Sequence, residues 1–187
     1  KHSQLDHQNA YELIANNKIL CGPRNGPLGV NAWNARIGKA VHGSLDSDMF
    51  KTGTPLLVTI NSPRSKLVNG DIGVVVNYQE SDGDIRRRVF FFTEDGGRYL
   101  TPAELPQVEI CFAMTVHKSQ GSEYENLLVI LPGESSPLLT RELVYTAVTR
   151  AKKSLVIAGT SLAVLRAVNN QSVRYSGLKT LISEYLN

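Results

Sequence analysis

Residues 113–132 read AMTVHKSQGSEYENLLVILP. One run, residues 109–114, apolar but for Glu109, leads into Thr115, and a second, wholly apolar run occupies residues 127–131. Runs without polar alternation suit strands buried on both faces of an α/β sheet, whereas half-buried strands alternate. Between the two runs Thr115 is a good N-cap, one helical turn follows, and Gly121 stands where a left-handed C-terminal cap is wanted before the next strand. A helix N-terminus flanked by Thr and His suits a backbone phosphate of nucleic acid. A solvated connecting turn fits the same spacing.

The flanking segments extend this pattern. Downstream, Leu138, Leu139, Leu143, Val144, Ala147, Val148 and Ala151 fall on one face of a helix, and residues 155–158 form a further strand. Upstream, residues 18–21 read as a short strand ending at Gly22 and Pro23, followed by a polar loop over 24–27. Val30, Trp33, Ile37 and Val41 then recur at helical spacing, which predicts a helix from about residue 29 to 40. From Thr54 the period changes. Residues 56–60, 72–76, 88–92 and 98–100 are short β-branched or aromatic runs, separated by turns at Asn69-Gly70-Asp71, Asp82-Gly83-Asp84 and Asp95-Gly96-Gly97. This predicts a small antiparallel barrel or meander inserted at residues 52–104 into one α/β lobe made of 1–51 and 105–187. A weakly patterned helix over about 177–185 closes the chain. Because the insertion starts and stops between two elements of one sheet, its removal is expected to leave the lobe folded.

Composition sets outer bounds. The chain has 187 residues, 42% hydrophobic and 20% charged, a balance that excludes disordered and fibrous classes. Twenty Lys plus Arg against seventeen Asp plus Glu give a net charge of +3, compatible with a local basic groove but not proof of a polyanionic partner. Cys21 and Cys111 each lie in or beside an apolar stretch and belong to no Cys/His cluster, so neither a metal nor a disulfide is expected. No apolar run approaches about eighteen residues, and residues 1–11 lack the apolar core of a signal peptide. A cytoplasmic protein with no membrane partner is the expectation. The polar opening without an initiator methionine reads as a piece of a longer protein, or as a processed mature chain.

Two of these stretches carry a resemblance to a known family. AMTVHKSQGSEYENLLVILP, residues 113–132, resembles motif V of superfamily 1 helicases, and RELVYTAVTRAKKSLVIAG, residues 141–159, resembles their motif VI. LVNGDIG, residues 67–73, resembles the opening turn of the Src-homology-3-like barrel that interrupts the second motor lobe in the RecD branch. ILCGPRNGPLGV, residues 19–30, resembles the stretch ahead of it. In order and spacing the resemblance runs from near Tyr11 to Ser176-Gly177-Leu178. It is nearest to the branch found as the alpha subunit of exodeoxyribonuclease V.

The resemblance implies a RecA-like second motor lobe with an inserted barrel, part of a 5′-to-3′ DNA helicase working in double-strand break processing and recombination repair. It implies ATP with Mg2+, single-stranded DNA, and partner subunits of the RecB and RecC type. It assigns Arg150 to the nucleotide's terminal phosphate as an arginine finger, a role suited to a planar, permanently charged fork. On spacing alone, Arg150 with Lys152 and Lys153 could equally complement the negative end of their helix. Arg24 matches a second phosphate-contacting arginine, with a solvated loop residue as the alternative. Gln120, Gly121 and Glu123 match the nucleotide's ribose edge, where a carboxylate accepts from hydroxyls; Glu123 could instead be an exposed strand-edge charge. Thr115, His117, Lys118 and Ser119 match the strand-binding side of motif V, although a lone His also serves to orient a turn.

Arg86, Arg87 and Arg88 with Phe90 and Phe92 have the composition of a single-strand binder, but the rings fit a barrel core as well, the reading preferred here. The sequence contains no Gly-Lys-Ser/Thr phosphate loop. Gly38-Lys39-Ala40 is the nearest string, and it falls inside a predicted helix. The chain is therefore expected to complete an ATP site without forming one. An RNA-remodelling enzyme with the same motifs, or a non-catalytic interaction module, stays open at this point.

Overall fold

A computed structural model describes residues 2–43, 48–93, 96–172 and 185. In chain order its elements are α1 (His2–Asn16), β1 (Asn17–Cys21), α2 (Val30–His42), β2 (Pro55–Val58), β3 (Ile72–Gln79), β4 (Ile85–Thr93) and β5 (Gly96–Leu100). A 3-10 turn (Pro102–Glu104), β6 (Val108–Ile110), β7 (Ala113–Thr115), a second 3-10 turn (His117–Ser119), β8 (Tyr124–Ile130), α3 (Arg141–Val148), β9 (Ala151–Ala158) and α4 (Ser161–Asn169) follow. The helix expected over about 177–185 lies, Tyr185 apart, outside the described residues.

Four strands form a parallel sheet in the order β7-β1-β8-β9. Side chains alternate across β1: Leu20 joins Met114, Leu127 and Val129 beneath α3 and α4, while Cys21 joins Ala113 and Ile130 beneath Val30 and Trp33 of α2. The helix expected from Leu138 to Ala151 is shorter than its apolar spacing suggested. The Thr140 hydroxyl accepts from the Leu143 amide at 3.2 Å, which fixes the start at Arg141. At the other end the Tyr124 amide donates to the Arg150 carbonyl at 2.7 Å, so β9 begins at Ala151 and not at Leu155.

The second sheet is antiparallel, in the order β5-β4-β3-β2-β6: a four-strand meander with β6 added beyond β2. The apolar run over 109–114 is therefore not one strand. Its first part pairs with β2, its last part with β1, and Cys111 and Phe112 pass between the sheets. Asn34 of α2 pins that passage: its Oδ1 accepts from the Ala113 amide at 2.7 Å and its Nδ2 donates to the Ile110 carbonyl at 3.0 Å.

One face of the antiparallel sheet buries Leu56, Val58, Val75, Val89, Phe91 and Leu100 together. The other face, carrying Val74, Val76 and Phe90, is covered by Tyr11 and Ile14 of α1, and His7 Nδ1 lies 3.1 Å from the Tyr99 hydroxyl. The rings therefore do not divide as expected. Phe91 fills the inner core, Phe90 is buried beneath α1, and Phe92, beside Tyr11, is 43% exposed. Among the described residues no helix is long and apolar enough to cross a membrane.

Candidate functional site

At the end of β7 the chain makes one tight turn before returning as β8. The Thr115 hydroxyl accepts from the Lys118 amide at 3.3 Å and so braces the turn, but the N-cap position falls on Val116, one residue later than expected. The turn itself is a three-residue 3-10 helix, His117–Ser119, and Gly121 then takes φ +88°, the left-handed conformation the spacing required. So short a turn aligns too few peptide units to act as an anion-binding helix terminus. Any phosphate contact here rests on side chains.

Those side chains point in different directions. Ser119 is fully buried, and its hydroxyl donates to the Val116 carbonyl at 2.7 Å. Expected on the strand-binding face, it belongs to the turn's interior, because a hydroxyl spent on its own backbone offers nothing outward. His117 and Gln120 line a groove of about 360 Å³ whose far wall is Thr140, Glu142 and Thr146 of α3 and the residue before it. Gln120 thus stands with His117 on this groove. Lys118 reaches the opposite way: its Nζ lies 2.5 Å from Glu109 Oε1, while Glu109 Oε2 accepts from Arg24 Nη2 at 3.0 Å.

Arg150 sits at the other end of the sheet. Its guanidinium crosses the end of α3, with Nε donating to the Thr146 carbonyl at 3.2 Å and Nη2 to the Thr149 hydroxyl at 3.2 Å. Nη1 reaches the Ser122 carbonyl at 3.3 Å. Motif VI is thereby joined to the loop that carries Gly121 and Glu123. Glu123 lies 3.3 Å from Lys152 Nζ, and Lys153 pairs with Glu125, so both lysines belong to β9 and its neighbour strand and not to a helix end. Arg24 follows the carboxyl end of β1, whereas Arg150 precedes the amino end of β9. The length of β8, about 20 Å at the usual rise per residue, separates the two levels. The structure does not bring the two arginines together.

Glu109 and Asn34 escaped the sequence reading. The available signal for Glu109 was a carboxylate standing inside an otherwise apolar run. The triple arginine of β4 is occupied: Arg86 pairs with Asp82 at 2.7 Å and Asp84 at 3.2 Å, Arg87 with Asp48 at 2.6 Å, and Arg88 with Glu80. Burial pushes the Cys21 thiol up to about 11 and raises that of Cys111, so both behave as small apolar groups. Gly38, Lys39 and Ala40 lie within α2, where a phosphate loop cannot form.

Residues 111–158, which hold the turn, Arg150 and the strands between, match the UvrD-like helicase C-terminal domain family. Over 93% of its length the chain is 40% identical to the RecBCD enzyme subunit RecD of Mycolicibacterium smegmatis, of which it covers 30%. Over 78% of its length it is 32% identical to the ATP-dependent RecD2 DNA helicase of Deinococcus radiodurans, of which it covers 20%. The chain thus spans less than a third of either relative. Among solved structures it resembles the Pif1 helicase of Candida albicans in fold, with a TM-score of 0.55 at 15% identity, covering 93% of this chain and 50% of that one. With its two motif-bearing stretches adjacent in space and its sequence related over nearly its whole length, the chain belongs to the RecD family of superfamily 1 helicases.

Proposed function

We propose that the chain is the second motor lobe of an ATP-dependent DNA helicase, and that it contributes the arginine finger and part of the single-strand path. The carrying observation is the bond from Arg150 Nη1 to the Ser122 carbonyl, which couples the motif VI arginine to the loop between the strand-facing turn and β8. Among the described residues the three acceptors on Arg150 are uncharged, which leaves its positive charge available to a phosphate. Exposed Glu123 beside it can accept from ribose hydroxyls.

In this reading the lobe comprises residues 1–51 and 105–187, and residues 52–104 are a Src-homology-3-like barrel. The shared core of β2, β3, β4 and the end of β5, flanked by Val108 and Ile110 of β6, supports a sheet curled about one interior. ATP with Mg2+ is the substrate of the whole enzyme. Its phosphate loop and magnesium carboxylates would come from the remainder of the protein, while this chain's residues orient the nucleotide and stabilise charge at its terminal phosphate. Among the relatives, the RecBCD enzyme subunit RecD supports partner subunits of the RecB and RecC type, and the ATP-dependent RecD2 DNA helicase supports ATP-driven work on DNA, while 5′-to-3′ movement, double-strand break processing and the cytoplasm are what the motif resemblance implies.

Steady-state ATPase of the full-length protein, with single-stranded DNA and RNA compared, tests the proposal. DNA-stimulated turnover that depends on Arg150 supports it. Turnover indifferent to Arg150 sinks the finger, and stimulation by RNA alone sinks the DNA assignment.

A further inference from the structure

The Arg24, Glu109 and Lys118 side chains meet although they come from three separate places: the loop after β1, strand β6 of the antiparallel sheet, and the turn after β7. Each carboxylate oxygen serves one cation. The side chain of Glu109 is 27% exposed, against 56% for Arg24 and 35% for Lys118, so the carboxylate lies inward and the cations outward. Its backbone is fixed: Glu109 pairs with Leu57 of β2, and the next residues are pinned by Asn34. Left alone, two long cationic side chains would repel and spread. A rigid carboxylate between them makes them converge, with net charge +1 and unused N–H donors on both.

We propose that Arg24 and Lys118 form a receptor for one phosphodiester of single-stranded nucleic acid, and that Glu109 is the positioning residue that holds them together. The proposal rests on reading the β7 turn as the strand-facing side, and it moves Arg24 from the nucleotide to the strand. A phosphodiester offers two free oxygens, which match a guanidinium fork beside an ammonium. The nucleotide's terminal phosphate is a poor alternative, since Arg24 stands about the length of β8 from Arg150.

The test measures binding of a fluorescent oligothymidylate to the full-length protein across a salt series. Arg24→Ala and Lys118→Ala should each weaken binding roughly 3- to 10-fold, and the double variant should lower the salt slope by about 0.7, the value of one neutralised phosphate on a single strand. Glu109→Gln is the discriminating variant. It removes a negative charge beside the strand, so simple electrostatics demands tighter binding; positioning demands binding roughly 3-fold weaker, with unfolding midpoint unchanged and partial recovery in Glu109→Asp. The effect of Glu109→Gln should also shrink when Lys118 is already Ala.

Tighter binding by Glu109→Gln would overturn the positioning role and leave the carboxylate as a competitor of the strand. If Lys118→Ala weakens binding while Arg24→Ala cuts ATP turnover at unchanged affinity, Arg24 returns to the nucleotide and the receptor is wrong. Should neither cation matter to binding, the underlying reading of the turn fails instead.

Discussion

The Ser119 hydroxyl donates to the Val116 carbonyl at 2.7 Å from a fully buried position, and that carbonyl also accepts the Ser119 amide at 3.3 Å. The serine closes the turn on itself. Ser119→Ala should therefore cost about 0.5–1.5 kcal/mol, the net worth of one such bond, because the carbonyl keeps a second donor. Denaturant midpoints would register the loss, and the salt dependence of DNA binding should not change. A reduced salt slope at unaltered stability would put Ser119 on the strand after all.

Removal of the inserted sheet should be less benign than its place in the sequence suggests. Replacing residues 54–101 by a Gly-Ser linker strips β6 of its partner β2 and uncovers Tyr11 and Ile14 of α1, which lie on Val74, Val76 and Phe90. The expected result is a lower unfolding midpoint and increased binding of an apolar dye. A deletion variant that melts as cooperatively and as high as the parent would show that the parallel sheet carries its own stability.

The contrast between what sequence revealed and what it hid has a physical basis. Strands β1 and β8 were legible because burial on both faces demands unbroken apolar runs, and the turn because Thr115 and Gly121 each answer a specific backbone need. The division of residues 109–114 between two sheets left no clear trace, since apart from Glu109 both halves are apolar and the passage is set by Asn34 from a distant helix. Helix α1 was missed because it is mostly polar, with Tyr11 and Ile14 the apolar residues it sets against the antiparallel sheet. At the candidate site, motif matching found Arg24, Lys118 and Arg150 but could not group them. Grouping depends on which end of a strand each one occupies, and on Glu109, whose role exists in three dimensions alone.

Lys18 supplies a prediction about pH. Its side chain is 3% exposed, its Nζ donates to the Cys111 carbonyl at 3.4 Å, and burial holds its ammonium below the usual value of 10.5. Below the folded-state value both folded and unfolded chains carry the proton, so the full cost of burying the charge is present. Between that value and 10.5 the unfolded chain binds the proton more tightly, and stability rises with pH. Lys18→Met should accordingly be more stable than the parent at neutral pH, on the order of 1 kcal/mol, with the advantage shrinking as pH approaches 10.5. Urea midpoints of both proteins at several pH values check this; a Met variant less stable at neutral pH would mean that the ammonium's hydrogen bond outweighs its desolvation.

Arg150 separates two roles by size. In the structure its donors rest on the Thr146 and Ser122 carbonyls and the Thr149 hydroxyl, the arrangement a helix-end residue would adopt. A charge at a helix end is worth about 0.3–1 kcal/mol. An arginine that meets charge developing on a transferring phosphoryl group is worth roughly 10³ to 10⁵ in rate, or about 4–7 kcal/mol. Arg150→Ala in the full-length protein should therefore abolish measurable DNA-stimulated ATPase, while the unfolding midpoint falls by no more than a few degrees and nucleotide affinity changes little. Arg150→Lys should rescue poorly, because a point charge cannot span the contacts of a planar fork and cannot reach Ser122 and a phosphate at once. Near-normal turnover in the alanine variant, or activity lost in step with unfolding, would leave Arg150 as the residue that ties α3 to the loop before β8 and nothing more.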